Sequence, residues 1–370
     1  MNITPWALLL GGLTMGCSDG AEPASTPGPA DDAAAEHVVA AVGLVDVAEA
    51  AGIEFVHTHG GDGRKFLFET MGSGVAASDF DGDGLPDLLF LQSGTLPVDE
   101  FTDEDRKRAH HAAGESHKLY RNKGDLTFED ISAASGLTEP VYAMGLAVGD
   151  TDSDGDRDLW VACYGDDQMF ENDGQAHFTD ITPASGLSDA RWTIGGAFFD
   201  ADLDGDLDLY SVLYLDMPVS SHRFCGPRPI RTYCHVDSWP GEDDRLWIND
   251  GSGRFSDGSP AAGLVGTAGK GLTVVAADHD DDGDVDLFVA NGFMSGRTAQ
   301  DYCTRYWSHD VYLDESVEPG TEDGVIDRLA TQIESGISWN GFEHNKTFVR
   351  TASGFVEAGF PLGLGGEADG

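Results

Sequence analysis

Short apolar runs punctuate the chain in pairs, with an acidic loop inside each pair. GVAASDF, GLAVGDT, GGAFFDA and TVVAADH lead in, and LLFL, LWVAC, LYSVLYL and LFVA lead out. Runs of this length, rich in Val, Phe and Leu and without helical period, predict buried strands. The loop between them then closes a β-hairpin. A second phrase follows: LYRNKGDLTFEDISAASGL from Leu119, MFENDGQAHFTDITPASGL from Met169 and LWINDGSGRFSDGSPAAGL from Leu246. Its Asn-x-Gly turn between aromatic runs predicts another hairpin, because Asn and Gly tolerate positive φ. A degenerate copy, KTFVRTASGFVEAGFPLGL from Lys346, lacks the Asn, and the tail of the phrase also occurs as LVDVAEAAGI from Leu44. One unit is therefore four antiparallel strands. Its recurrence at about 50 residues predicts an all-β chain of β-propeller blades.

The four loops share one formula, Asp-x-Asp-x-Asp-Gly-x-x-Asp. They supply Asp79, Asp81, Asp83 and Asp87; Asp150, Asp152, Asp154 and Asp158; Asp200, Asp202, Asp204 and Asp208; and Asp278, Asp280, Asp282 and Asp286. With 66 acidic residues and 49 glycines in 370 positions, about 0.05 chance matches are expected. Carboxylates at alternate positions of a tight turn converge, and without a cation they repel one another. Hard oxygen donors in this pattern suit Ca²⁺, with the backbone carbonyl of the seventh residue (Leu85, Asp156, Asp206, Asp284) as a further ligand. Plain Asp-Gly turns would need only one or two such residues. An EF-hand is excluded, since Phe90, Val161, Ser211 and Val289 stand where its bidentate Glu belongs. About four Ca²⁺ sites are expected.

FVHTHG (Phe55 to Gly60), FETMGSGVAASDFDGDGLPDLLF (Phe68 to Phe90), YCH…DRLWINDGSGRF (Tyr233 to Phe255) and SWNGFEHN (Ser338 to Asn345) resemble FG-GAP/VCBS-repeat proteins. The likeness is to the cartilage-acidic-protein type, associated with ASPIC/UnbV domains, with the integrin α propeller as a distant relative. It covers nearly everything from Val42 to Gly370. The resemblance implies a calcium-stabilised propeller, usually outside the cytoplasm, and little about biochemistry. Such propellers usually have about seven blades, whereas four units are legible here. A portion of a seven-bladed ring is therefore expected over an open or four-bladed assembly, which would leave bare strand edges.

Unit lengths locate the variable side. The Asp150 unit closes at Phe178, while the Asp79, Asp200 and Asp278 units run longer, to Phe128, Phe255 and Phe355. All the extra length enters between the second and third strands. In a meander that connection lies opposite the 1–2 and 3–4 turns, so the insertions belong across the molecule from the acidic loops. Binding tends to reside in such loops on a rigid scaffold. The first insertion, about 97–117, holds TDEDRKRAHHAAG from Thr102 to Gly114, which predicts a short polar helix. The second, about 217–244, holds Cys225 and Cys234. The third, about 293–345, carries Tyr302, Tyr306, Trp307, Tyr312, Trp339 and Phe342, with a helix expected near 323–335. Tyr302, Tyr306, Trp307 and Trp339 are the ligand-face candidates, against the alternative that they form the insertion's own small core.

The formal charge of −45 is spread through the repeats, so it does not signal a disordered tail. It disfavours nucleic acid and anionic membrane surfaces as partners. Residues 1–16 read as a lipoprotein-type signal peptide, with Cys17 as the lipidation site, 17–40 as a flexible linker and 41–370 as the propeller. Plain secretion is the alternative. Either reading places the protein outside the cytoplasm, at a bacterial outer membrane, periplasm or cell surface, touching membrane only through a lipid anchor. With Cys17 set aside, Cys225 and Cys234 are the expected disulfide, Cys163 is expected buried, and Cys303 is unplaced.

No nucleophile elbow, phosphate loop or zinc spacing is present. His57 with His59, and His110 with His111, are weak metal-ligand pairs beside the reading of ordinary hydrogen-bonding histidine. Two functions are carried forward. One is a non-enzymatic calcium-binding propeller that binds a protein or glycan through its insertions. The other is a calcium-dependent polysaccharide lyase, whose cationic and acid–base groups would come from Arg297, Arg305, Tyr306 and His309.

Overall fold

The computed structural model describes residues 45–94, 96, 116–187, 189–222, 225, 232–234, 236–292 and 345–358. The chain divides between Asp46 and Val47, and every sheet lies in Val47–Gly370. The first sheet holds β1 (Val75–Ser78), β2 (Asp87–Phe90), β3 (Lys118–Asn122) and β4 (Phe128–Asp130). The second holds β5 (Ala143–Gly149), β6 (Asp158–Cys163), β7 (Gln168–Asn172) and β8 (Phe178–Asp180). The third holds β9 (Thr193–Phe199), β10 (Asp208–Leu213), β11 (Arg245–Asn249) and β12 (Phe255–Asp257). The fourth holds β13 (Gly271–Ala277), β14 (Asp286–Asn291), β15 (Lys346–Thr351) and β16 (Gly354–Glu357).

Each sheet is an antiparallel meander in sequence order. The first strands of successive sheets are neighbours, β1 beside β5, β5 beside β9 and β9 beside β13. This all-β succession is the arrangement of blades in a β-propeller. Among the described residues helix is confined to single turns, and none is long and apolar enough to cross a membrane.

Sheets flanked on both faces need apolar residues on both. β6 is accordingly buried throughout. Its Leu159, Val161 and Cys163 join Phe80, Leu89 and Leu119 of the first sheet. Trp160 and Ala162 face the other way, toward Leu209 and Trp247 of the third. Tyr210 and Val212 repeat the pattern against Leu287 and Phe348.

The tail of the second phrase supplies the joint between sheets. After β4 the chain makes one helical turn, reverses through Gly136 at φ 83°, and offers the Ser135 carbonyl to the Phe178 amide of the next sheet at 2.7 Å. Ala51 does the same for Phe128 at 2.8 Å. Gly186 and Gly263 repeat the left-handed reversal against the Phe255 and Phe355 carbonyls. The recurring spacing of the phrase thus encodes a clip onto the last strand of the following sheet.

A second recurring device sits at the opposite corner. The residue just before each third strand accepts the amide hydrogen from the end of the second: His117 Nδ1 from Gln92 (3.0 Å), Asp167 Oδ1 from Cys163 (2.9 Å), Asp244 Oδ1 from Leu213 (2.8 Å) and Asn345 Oδ1 from Asn291 (3.0 Å). These four bonds pin the neck of every 2–3 connection, whatever its length. Beyond the necks an aromatic cluster of Phe68, Tyr142, Tyr164, Trp192 and Tyr214 caps the strand ends. The second insertion packs on it. Cys225 and Cys234 are disulfide-bonded, His222 lies 4.0 Å from the Phe66 ring, and Tyr233 donates to the buried Glu69 at 3.1 Å. Cys163 is buried and unbridged.

Residues 1–40 with Cys17, the segments 102–114 and 323–335 where helices are expected, His110, His111, Cys303 and the aromatic candidates Tyr302, Tyr306, Trp307 and Trp339 lie outside the described residues.

The joints between sheets can be tested at two positions. Gly186 and Gly266 both have positive φ, but a Cβ at Gly186 would stand 2.4 Å from the Phe255 carbonyl oxygen, whereas Gly266 has open space. Gly266→Ala should cost about 1 kcal/mol for the left-handed backbone alone, and Gly186→Ala about 3 kcal/mol or more, read by urea denaturation. At the neck, His117 has its pKa pushed down to about 4 by burial. The unfolded chain therefore binds the extra proton first, and stability falls as pH drops below the ordinary histidine range. Relative to pH 7.5, the native protein should lose about 1.3 kcal/mol at pH 5.5 through this group. His117→Asn, which copies Asn345, should remove that component of the slope at fixed free calcium.

Candidate metal centre

Each β-hairpin loop winds around its own first aspartate. Gly84, Gly155, Gly205 and Gly283 donate their amide hydrogens to Asp79 (2.9 Å), Asp150 (3.1 Å), Asp200 (3.1 Å) and Asp278 (3.0 Å). The sixth-position glycines take φ from 87° to 102°, which explains why only glycine occupies that place. Position four is left-handed too, although it is Ser153, Leu203 and Asp281 in three of the loops. Such strain persists where the surroundings over-determine the backbone. The sequence formula left this position blank.

In each loop three carboxylates bring an oxygen within 4.8 Å of one another: Asp79, Asp81 and Asp87; Asp150, Asp152 and Asp154; Asp200, Asp202 and Asp208; Asp278, Asp280 and Asp282. The fifth residue completes the group in loops two and four, and the ninth in loops one and three. In all four loops the fifth aspartate also accepts the amide of the seventh residue: Asp83 from Leu85 (2.8 Å), Asp154 from Asp156 (2.9 Å), Asp204 from Asp206 (3.0 Å) and Asp282 from Asp284 (3.1 Å). The side chains of Asp156, Asp206 and Asp284 stand outside the groups. Asp156 and Asp206 lie against Gly174 and Gly251 in the neighbouring hairpin turns.

The ninth aspartate holds each loop to its sheet and is buried in all four. One of its oxygens accepts the amide of the second loop residue, Phe80 (3.2 Å), Thr151 (2.9 Å), Ala201 (2.8 Å) or His279 (3.4 Å). The other accepts the third-strand amide of Asn122 (2.8 Å), Asn172 (3.0 Å), Asn249 (2.8 Å) or Arg350 (2.8 Å). Thr151 and His279 add side-chain contacts to Asp158 and Asp286.

That third-strand residue also crosses to the preceding sheet. Asn172 Nδ2 donates to the Phe80 carbonyl at 2.9 Å, and Asn249 Nδ2 to that of Thr151 at 2.7 Å. In the degenerate fourth unit Arg350 Nε reaches the Ala201 carbonyl at 2.6 Å. The missing asparagine is thus replaced by a guanidinium that makes the same bond. The sequence displays the loss and carries no local signal for the replacement.

The electrostatics fit a divalent cation. Asp152 and Asp202 have their pKa values raised by burial first and then by neighbouring loop carboxylates. Asp208 is pushed up to about 6, again by burial first, against the pull of its two amide donors. Asp150 Oδ1 is buried and has no hydrogen-bond partner. An acceptor-only donor set with an orphaned buried oxygen suits a hard cation. Arg121 already partners Asp81 at 2.6 Å, so the first loop carries a positive charge of its own.

His57 bonds Ser93 at 3.0 Å and His59 accepts the Gly61 amide at 3.1 Å; neither is in a metal-ligating group among the described residues. Arg297, Arg305, Tyr306 and His309 fall outside the described residues.

Residues 150–211 match the model of an FG-GAP-like repeat. The match runs from the second acidic loop through the third and into β10. Together with four-stranded antiparallel sheets on either side, it fits an FG-GAP repeat protein. No curated protein matches the chain.

Asn249 and Asn122 separate the inter-sheet bond from the local one. Asn249 Nδ2 serves the carbonyls of Thr151 and Leu207, while Asn122 Nδ2 serves Pro86 of its own sheet. Asn249→Ala should cost about 3 kcal/mol and Asn122→Ala about 1 kcal/mol in chemical denaturation. Equal losses would mean the crossing bond contributes nothing.

Proposed function

We propose that this chain is an extracytoplasmic, calcium-stabilised β-propeller of the cartilage-acidic-protein type, without enzymatic activity, that recognises a protein or glycan ligand through its insertion face. The observation that carries the reading is the convergence of three carboxylates in each of four loops, on hairpins whose sheets place the 2–3 connections at the other end. Calcium is favoured over magnesium because acid-rich loops with backbone carbonyl donors suit a larger ion of flexible coordination. The ions brace the scaffold, and ligand recognition belongs to the opposite side.

The Cys225–Cys234 disulfide suits an oxidising compartment. A lipid anchor at Cys17 would hold the domain at a membrane surface through a linker. The net charge of −45 keeps nucleic acid and anionic surfaces away.

Calorimetric titration of Ca²⁺ into chelator-stripped protein should resolve about four sites. With calcium 100-fold above its dissociation constant, each should add about 2.7 kcal/mol of stability, so a chelator should lower the melting temperature steeply. Magnesium at the same concentration should restore little. Titration without heat, together with an unmoved melting point, would refute the proposal.

A further inference from the structure

The four acidic loops share a backbone path and a formula, yet one of them has a guanidinium beside it. Arg121 of β3 places Nε 2.6 Å from Asp81 Oδ2. Asp81 is one of the three carboxylates that converge in the first loop. Its other oxygen accepts the Asp83 amide at 3.3 Å, so both of its oxygens are engaged. The strand itself delivers the guanidinium. Tyr120, on one side of Arg121, is buried and paired with Leu88. Asn122, on the other, donates its amide to Asp87 Oδ1 at 2.8 Å.

The same place on the other third strands is held by Glu171, Ile248 and Val349, each just before the residue whose amide binds the ninth aspartate. None of them supplies a cation. Among the described residues no basic side chain pairs with Asp152, Asp202 or Asp280. The fourth loop has bases nearby, but they go to carboxylates outside its converging group, Arg350 to Asp284 at 3.4 Å and His279 to Asp286 at 3.2 Å. The second loop leaves Asp150 Oδ1 buried without a hydrogen-bond partner. Only the first loop, among the described residues, therefore has a converging carboxylate neutralised by the protein itself. That pairing is held by charge and not by an aligned hydrogen bond, since Arg121 Nε makes none. The Arg121 side chain is 38% exposed, so it has a path to water when a dication arrives.

We propose that Arg121 is a built-in competitor that makes the first loop the weakest of the four calcium sites, the last to fill and the first to empty. The inference rests on the loops being calcium sites, and it grades them. A dication entering the first loop must sit beside a guanidinium or break its ion pair, and either course lowers the affinity. Conversely, the first loop depends least on an ion for its shape. Its Phe80 carbonyl receives Asn172 of the second sheet at 2.9 Å, so the guanidinium keeps that joint seated when calcium is scarce.

Calcium titrated calorimetrically into chelator-stripped protein should show three tight sites and a fourth about tenfold weaker, the effect of one like charge at close range. Arg121→Ile, which copies Ile248 of the third sheet, should abolish the weak step and leave four sites of similar affinity. Glu171→Arg, at an exposed position of β7, should transfer the handicap to the second loop and leave two weak sites. In chelator, Arg121→Ile should melt below the wild type, and calcium should raise its melting temperature by more. Wild-type protein that takes up no calcium would sink the calcium reading and this inference together. Calcium uptake with the number of weak sites unchanged in either variant would overturn this inference alone. Should Arg121→Ile fail to fold, Glu171→Arg decides.

Discussion

The structure depends on a buried carboxylate that accepts two backbone amides from different elements. Asp87, Asp158, Asp208 and Asp286 each join the start of a loop to the third strand of the same sheet. Burying four carboxylates is costly unless each is hydrogen-bonded, and here each has its two donors. Because the third-strand residue then reaches into the loop of the preceding sheet, the bonds form a relay. It runs from the first loop through Asn172 and Asp158 to the second, through Asn249 and Asp208 to the third, and through Arg350 to the fourth sheet. Order in one loop is thereby coupled to the seating of its neighbour, which gives a bound ion influence beyond its own hairpin.

The relay also explains how the acidic loops can carry more charge than turns require. Two carboxylates about 4 Å apart repel by about 4 kcal/mol at an intermediate effective dielectric. Three in one loop would unwind it, yet the backbone is held in left-handed conformations at positions four and six in every copy. The clip of the preceding sheet, the ninth aspartate and the crossing amide over-determine that backbone. What they cannot supply is a partner for oxygens such as Asp150 Oδ1. Scaffold and cation would therefore have separate roles, the protein fixing the shape and a bound ion cancelling the repulsion.

Much of this was legible in the residues. The strands, the hairpin order, the clustering of loop carboxylates and the Cys225–Cys234 pair all follow from local pattern, because each depends on residues close in sequence. The features that escaped are those whose partners lie far apart. Asn172 and Phe80 are separated by 92 positions, and Arg350 and Ala201 by 149, so no window holds both. The neck pins escaped for another reason. His117, Asp167, Asp244 and Asn345 make one bond with three residue types, since all that is required is an acceptor at a fixed place. A repeat search matches letters, whereas the constraint acts on lone pairs.

The neck pins bear directly on where function can reside. Closing a long loop costs entropy that grows only slowly with length, and a hydrogen bond at the neck means the sheet registers the same strand ends in the short connection and in the long ones. The second sheet shows the minimal case, and Asp167 there makes the same bond as Asp244 beneath the disulfide-bearing insertion. Length and chemistry beyond the neck are thus released from the folding constraint, while the acidic loops, tied into the relay, are not. One end of each sheet is fixed by charge and the other is free to vary. A scaffold divided in this way keeps its converging carboxylates on the constrained side and leaves length and chemistry to vary on the side where substitution costs least.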